Sequence, residues 1–467
     1  MGEGFLEQVM ASAVYRSAGG RCIGSPWNIQ WDDRPYHERN AKPLAPPMAK
    51  KEIASLLQWK SSAKRAAVYI HIPFCRLACS YCGFYKQPFH EEKLAAYVES
   101  LIKEIYHLKA SPYVAGSKVE AVFFGGGTPG LLLPSQIRDI MNAARDVFPL
   151  AAHAEITMES SLSDMTKEKM EAAIQSGVNR FSFGVQSFDT KVRNRVGRPD
   201  PKEQTVAQLE RYAHFGADVI IDLIYGLEHQ TEDSIKEDIR LASDCSAAGL
   251  DLYKLQILPS SPLGKSFAAK GKTLEENHLQ KLFQVAVDEL AQVGAKELSC
   301  THWKMKDSER SLYNAISADG GDIFALGMAC GGRLGPVSYF KTMKDDVYRE
   351  EAGKTYAIGM GQKRSGYAAR LGLISFCCDK GVIDVKRLAE DTELPLEKLF
   401  MPVLEAWEQW GLLYRQGDIY RYSPAGKYWH KTMRRFLLRM TESMLYGMET
   451  EGAGNQNRAW RGMNNLK

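Results

Sequence analysis

Three cysteines fall in the run Cys75-Arg76-Leu77-Ala78-Cys79-Ser80-Tyr81-Cys82, a C-x3-C-x2-C spacing that follows the apolar stretch Val68-Tyr69-Ile70-His71-Ile72-Pro73-Phe74. Three thiolates this close on a loop can converge on one face of a small metal centre. A four-iron cluster held by three cysteines keeps one iron open for an outside ligand. That site suits S-adenosylmethionine (SAM), which chelates iron through its amino and carboxylate groups and is split into radicals by one electron from the reduced cluster. Structural zinc prefers two C-x2-C pairs or a histidine partner, four ligands in all. No second pair lies downstream, because Cys377 and Cys378 are adjacent and Cys22, Cys245, Cys300 and Cys330 are isolated. The spacing therefore predicts a [4Fe-4S] centre on Cys75, Cys79 and Cys82.

Further polar motifs punctuate apolar runs. Gly125-Gly126-Gly127-Thr128-Pro129 lets backbone approach a ligand closely, since glycine has no side chain to obstruct it, and its amides and carbonyls can hold the SAM amino group. Glu159 can accept hydrogen bonds from a ribose or an amino group. Gln186 and Arg198 suit ribose and carboxylate contacts, the arginine by its planar fork. Asp222, inside Ile220-Ile-Asp-Leu-Ile-Tyr-Gly226, is a charge in a buried strand pattern and needs a partner or a function.

The elements that must position these residues alternate. Short apolar, β-branched runs occur at 66–72, 120–124, 155–158, 180–184, 219–224 and 252–258. Helix-length amphipathic segments lie between them, at 91–108, 134–147, 167–175, 204–215 and 232–247. Six such units predict an α/β fold, a partial (β/α)6 TIM-like barrel with helices outside. An open side could admit a large flat substrate. The motifs follow the runs, where a barrel of this kind gathers its chemistry. Residues 1–65 read as an N-terminal extension and 66–300 as the partial barrel. A barrel-associated glycine-rich segment is expected at 301–380, a small winged-helix-like domain at 381–449 and a disordered tail at 450–467.

The chain has 467 residues, 60 basic and 56 acidic, a balance too even to point to nucleic acid. No run approaches the roughly 20 apolar residues of a membrane helix, and the first residues lack a secretory pattern. An odd nine cysteines fit a reducing compartment. The expectation is a cytoplasmic protein with no membrane insertion.

Tyr69-Ile-His-Ile-Pro-Phe-Cys75 with the cysteines after it resembles the radical SAM superfamily. More narrowly it resembles the branch of the oxygen-independent coproporphyrinogen oxidases, their heme-chaperone relatives and the heme-utilisation enzymes that open the porphyrin ring anaerobically. The resemblance implies that Tyr69, Gly126 and Glu159 serve one SAM molecule. It implies that Tyr81, Gly127, Thr128, Gln186, Arg198 and Asp222 serve a second, with Gln256 matching another contact position loosely. The coproporphyrinogen oxidases carry a further cysteine where this chain has Phe84. That difference, the extension and Gly327-Met-Ala-Cys-Gly-Gly-Arg-Leu-Gly-Pro336 look most like the heme-utilisation enzymes. Their activity implies radical methylation of heme, ring opening to a linear tetrapyrrole (anaerobilin) and iron release, with a low-potential donor such as flavodoxin, ferredoxin or a flavin reductase. A heme chaperone or a coproporphyrinogen oxidase is the alternative. His71, His302 and His229 are candidates for heme ligation or proton transfer, and Arg333 for pairing with a propionate.

Overall fold

Ala66–Ile72 reads AAVYIHI and is buried along nearly its whole length, as a strand covered on both faces must be. The same holds for the strands beside it. In the computed structural model, residues 3–32, 36, 38, 41–61, 65–84 and 87–452 are described. The chain forms two units, one from 42–317 and 321–363, the other from residues within 1–41, 318–320 and 364–467.

The first unit carries β1 (Ala66–Ile72), β2 (Val119–Gly126), β3 (Leu150–Ser160), β4 (Arg180–Gln186), β5 (Asp218–Tyr225), β6 (Gly249–Lys254) and β7 (Asp322–Leu326). These run parallel in the order β7-β1-β2-β3-β4-β5-β6. Antiparallel strands extend both ends, His302–Lys304 beside β6 and Gly331–Leu334 beside β7, in a sheet of 13 strands among the described residues. The sheet keeps two edges, consistent with a partial barrel. Seven parallel strands rather than six make the wall. The seventh is short and pairs with β1 across more than half the chain, so no local pattern announces it. β6 begins three residues earlier than the apolar run at 252–258, because Asp251 interrupts the hydrophobic pattern.

Helices α1 (Glu91–His107), α2 (Pro134–Val147), α3 (Lys167–Gln175), α4 (Lys202–Ala213), α5 (Glu232–Asp244) and α6 (Glu276–Gln292) follow the strands. Thr166 accepts from Lys169 N to start α3, and Thr231 from Ser234 N to start α5. Helix α2 buries Ile137, Ile140, Met141, Ala144 and Val147, and each large apolar side chain so buried contributes about 1.5–3 kcal/mol. Glu104, inside α1, accepts from Gly327 N and Tyr348 Oη, both at 2.8 Å, and pairs with Lys341. A buried carboxylate with this many partners pins the turn after β7.

The second unit contains α7 (Ala368–Lys380), β8 (Val382–Asp384), α8 (Val385–Thr392), α9 (Leu396–Gln409), β9 (Leu413–Gln416) and β10 (Ile419–Tyr422), with sheet order β8-β10-β9. Helix, strand, two helices and a two-stranded wing is the winged-helix order. Gly381 ends α7 with φ 67°, a left-handed turn that glycine adopts without steric cost. The expected extension is not one piece. Its first part belongs here, with the Trp31 ring centroid 6.2 Å from Trp407 and 6.0 Å from Trp429, and Trp407 Nε1 donating to Ala18 O at 2.9 Å. Residues 42–61 belong to the first unit, where Lys42–Leu44 forms an edge strand. The last helix, Pro424–Gly452, runs into the expected tail, and 453–467 lie outside the described residues.

Candidate active site

The cysteine loop leaves β1 at Ile72 and is held from several sides. Gly127 N donates to Ile72 O at 2.8 Å, Ser80 N to Val196 O at 3.2 Å, and Leu263 N to Ser80 O at 2.8 Å. Cys82 N donates to Cys79 O at 3.2 Å, folding the loop on itself. Cys75, Cys79 and Cys82 are half-buried and form no disulfide, though among the described residues no three His, Cys, Asp or Glu side chains form a closed metal-ligand group. Thr128 Oγ1 lies 3.5 Å from Cys75 Sγ.

The glycine triplet is bare because its neighbours leave no room for side chains. A Cβ on Gly125 would stand 2.9 Å from Tyr69 Oη and 3.0 Å from Glu159 Oε2, and one on Gly126 would stand 2.6 Å from the His71 ring. The Gly126 amide also donates to Glu159. Tyr69, in the middle of β1, thus comes up against Gly126 and Glu159 at the ends of β2 and β3.

Across the mouth, Arg198 Nη2 reaches Tyr81 Oη at 3.4 Å, and its Nη1 donates to Gly184 O. A Cβ on Gly184 would fall 2.6 Å from Gln186 Nε2 and 3.2 Å from Arg198 Nη2. Gln186 holds φ 71°, a conformation costly for a non-glycine residue and often kept where a side chain must be aimed. Tyr81, Gln186 and Arg198 thus converge, and Asp222 is the register partner of Gly184, with Ser182 Oγ donating to it at 3.0 Å. Arg198 Nε and His71 Nε2 are buried without a protein partner, as ligand-facing donors would be.

Soft thiol donors on one loop are the chemistry an iron–sulfur cluster selects. The bare glycine backbone and the orphaned Arg198 nitrogen suit the amino and carboxylate ends of SAM. The residues present fit both groups.

Other expected residues stand elsewhere. Gln256 is exposed beyond β6, and His229 is exposed in the loop after β5. His302 is buried, with Nε2 2.9 Å from Glu309 and Nδ1 2.9 Å from Asp251 without hydrogen-bond geometry, so the ring is enclosed by two carboxylates. Arg333 donates to Gly321 O at 2.9 Å and Ser317 O at 3.2 Å, finishing a helix end rather than awaiting a propionate.

Behind the mouth lies a charged network that motif reading misses. Arg180 forks onto Glu309 at 2.9 and 3.1 Å, and Glu309 in turn meets His302. The argument that singled out Asp222, a charge in an apolar strand, applies equally to Arg180 and Asp251. Burial, then Asp222, pushes Glu159 up to about 8. Burial, then Asp251, pushes Asp222 up to about 7. Burial opposes charge on His302, but Asp251 and Glu309 outweigh it and raise it to about 9. For Glu309, burial is outweighed by His302 and Arg180, which hold it at about 2.

A raised histidine contributes stability that is present in full below its unfolded value of 6.5 and lost as pH rises through about 9. Thermal melts between pH 6.5 and 9 should show a falling midpoint that flattens in His302→Gln. A wild-type midpoint constant across that window would contradict the assignment. Gly126→Ala carries strain at φ 113° and a clash with His71. At about 1–3 kcal/mol, taken from the bound form, it should weaken SAM affinity by about tenfold per 1.4 kcal/mol. Equilibrium binding to cluster-loaded protein measures this, and unchanged affinity would remove the glycine from the site.

The parallel α/β wall and cysteine loop define a radical enzyme class, and the Radical SAM superfamily model matches residues 69–242. The chain is 31% identical to anaerobilin synthase of Escherichia coli O157:H7 over 409 residues, 85% of this chain and 91% of that protein. It is 41% identical to the oxygen-independent coproporphyrinogen III oxidase of Bradyrhizobium diazoefficiens over 38% of this chain and 41% of that one. It is 28% identical to the heme chaperone HemW of Lactococcus lactis over 59% and 72%. The solved coproporphyrinogen III oxidase (HemN) of Escherichia coli superposes with TM-score 0.68 at 21% identity, over 83% of this chain and 92% of that one, a likeness of fold. The chain belongs to the radical SAM superfamily, whose members use a [4Fe-4S] cluster and SAM. Within it, anaerobilin synthase is a relative along most of the chain.

Proposed function

We propose that this chain opens heme without oxygen, by radical methyl transfer to the porphyrin, yielding a linear tetrapyrrole and releasing iron for acquisition in the cytoplasm. The observation that carries the reading is the extent of likeness to anaerobilin synthase, 91% of that protein, where the Bradyrhizobium oxidase is matched over 41%. Phe84, where the coproporphyrinogen oxidases carry a cysteine, is 75% exposed. Leu77 is 48% exposed as well, so the cysteine loop offers apolar side chains that a flat macrocycle could meet.

Cys75, Cys79 and Cys82 would hold the cluster, which with SAM supplies one-electron radical initiation. Tyr69, Gly126 and Glu159 would seat one SAM, with Glu159 accepting from its amino group. Tyr81, Gly127, Thr128, Gln186, Arg198 and Asp222 would seat the second, with Arg198 pairing its fork to a carboxylate. A low-potential flavodoxin, ferredoxin or flavin reductase would supply electrons. Among the described residues no helix is long and apolar enough to cross a membrane.

The test is anaerobic incubation of cluster-reconstituted protein with heme, SAM and a low-potential reductant, followed by heme absorbance and mass spectrometry. Heme loss with a methylated linear tetrapyrrole is expected. Heme persisting in a stable complex that passes to an acceptor would replace the reading with a chaperone, and turnover of coproporphyrinogen alone would replace it with an oxidase.

A further inference from the structure

Beyond β7 the sheet continues through the antiparallel strands Gly331–Leu334, Val337–Lys341 and Ile358–Lys363. Side chains on such strands alternate between two faces. One face is covered by the helix Pro46–Leu57. A Cβ on Gly361 would stand 2.6 Å from Ala49 Cβ, and Lys363 Nζ lies 4.0 Å from Glu52. The other face continues the inner surface of the wall, where Ile323 packs with Ala67, Tyr69 and Tyr313. Strand register carries that surface outward, since Ile323 pairs with Arg333, Arg333 with Ser338 and Ser338 with Gln362. Two residues nearer the mouth, Tyr69 pairs with Ala325, and beyond them Gly331 pairs with Phe340 and Phe340 with Met360.

This second row forms an apolar shelf running out from Tyr69. Gly331 is exposed, Phe340 is half-buried, and Met360 is 61% exposed. Gly331 is bare without being crowded, because the nearest atom to a Cβ there would be 3.6 Å away. Strands lie about 4.8 Å apart, so the row extends about 14 Å from Ala325 to Met360, a width that suits a porphyrin. The row beneath it is polar. Ser338 and Gln362 offer hydrogen bonds, and Arg333, held by the Gly321 and Ser317 carbonyls, adds a positive charge. An apolar strip with a polar border matches a macrocycle that carries its carboxylates along one edge. At the other end of the parallel wall stand Asp251 and His302, and an apolar ring laid there would strip water from charged groups.

We infer, resting on the heme-opening reading, that Gly331, Phe340 and Met360 seat the flat face of the tetrapyrrole. Its carboxylate edge turns toward Ser338 and Gln362. Gly331 lets the ring approach the backbone, and the Met360 thioether packs against the ring system as a soft, polarizable contact. The macrocycle then lies beside Tyr69, within the reach of the residues gathered at the mouth.

Met360→Glu places a carboxylate on the shelf, and Gly331→Leu raises a side chain into the path of the ring. Both positions are exposed, and Gly331 has an ordinary backbone angle, so both variants should melt with wild type. Heme titrated into cluster-loaded protein should bind about tenfold more weakly in each, roughly the loss of one well-buried apolar side chain. Iron-free protoporphyrin, followed by its fluorescence, should weaken in parallel, and SAM affinity should not change. Met48→Glu is the control, since Met48 is 57% exposed on the helix that covers the opposite face. It should bind heme as wild type does.

Unchanged heme affinity in either shelf variant overturns the site, and an equal loss in Met48→Glu does so by marking adventitious apolar binding. A loss confined to heme, with iron-free porphyrin unaffected, also overturns it, because recognition would then pass through iron and not the ring face. Shelf-dependent binding by wild-type protein that leaves heme intact supports the site and sinks the heme-opening reading. Heme opening with the same KM in the shelf variants keeps that reading and sinks the site. Wild-type protein that binds no heme overturns both.

Discussion

Cys79→Ala should abolish SAM cleavage and leave the sheet-bearing unit folded. Cys79 sits half-buried on a loop held by backbone hydrogen bonds at Ser80, whose N donates to Val196 O and whose O accepts from Leu263 N, and the substitution does not touch these. Stability should shift by no more than the ±0.5 kcal/mol typical of sites away from the core. A three-thiol donor set cannot lose a member and still present one open iron, so the expected assay is iron content and SAM cleavage after reconstitution, both lost. Cys245→Ala is the control with the opposite signature. Its thiol is buried, 2% exposed among apolar neighbours, so that variant should lose about 1 kcal/mol and keep full cleavage. Turnover retained in Cys79→Ala would remove the loop from the chemistry altogether.

The contrast between these cysteines also shows what can be read from sequence. Cys75, Cys79 and Cys82 announce themselves because their ligand function needs short spacing on one loop, and short spacing survives in one dimension. The same is true of Lys167–Gln175, whose capping threonine is adjacent, and of Pro134–Val147, whose apolar stripe repeats locally; both helices have the expected bounds. β7 is different. Its five residues are buried because β1 lies alongside, 256 residues earlier by the Asp322↔Ala66 pairing, and nothing near residue 322 encodes that neighbour. Trp27 and Trp31 give the same lesson. Their partners Tyr428, Trp407 and Trp429 lie in the C-terminal helices, so the segment reads as an aimless extension until the fold supplies the other rings.

Histidines and arginines mislead for a related reason. His302 beside a tryptophan and Arg333 in a glycine-rich turn have the residue type of a ligand contact. Whether a donor is free depends on what approaches it in three dimensions. Two carboxylates flank His302, and the carbonyls of Gly321, Ser317 and Ile316 accept from Arg333. Glu159 and Gln186 lie at the ends of their strands, a local property that the apolar runs already show.

The largest loss of stability should follow from Arg180→Met. Its side chain is 4% exposed, and Glu309 beneath it is fully buried. Methionine nearly preserves the volume but leaves the carboxylate facing only His302, and removing one member of a buried pair ordinarily costs about 3–5 kcal/mol. Against a total folding stability of about 5–15 kcal/mol, that is a large fraction, and chemical denaturation should show an early midpoint with an unchanged slope. Glu309→Gln alone should be milder, because the amide still bonds His302 while Arg180 keeps Thr157 at 3.5 Å and the nearby Glu155. The decisive comparison is the double variant. If the two side chains are coupled as their fork geometry requires, Arg180→Met with Glu309→Gln should be more stable than the sum of the single losses by about 0.5–3 kcal/mol, because the uncompensated charge is gone. Strict additivity would mean that the pair contributes shape and not charge.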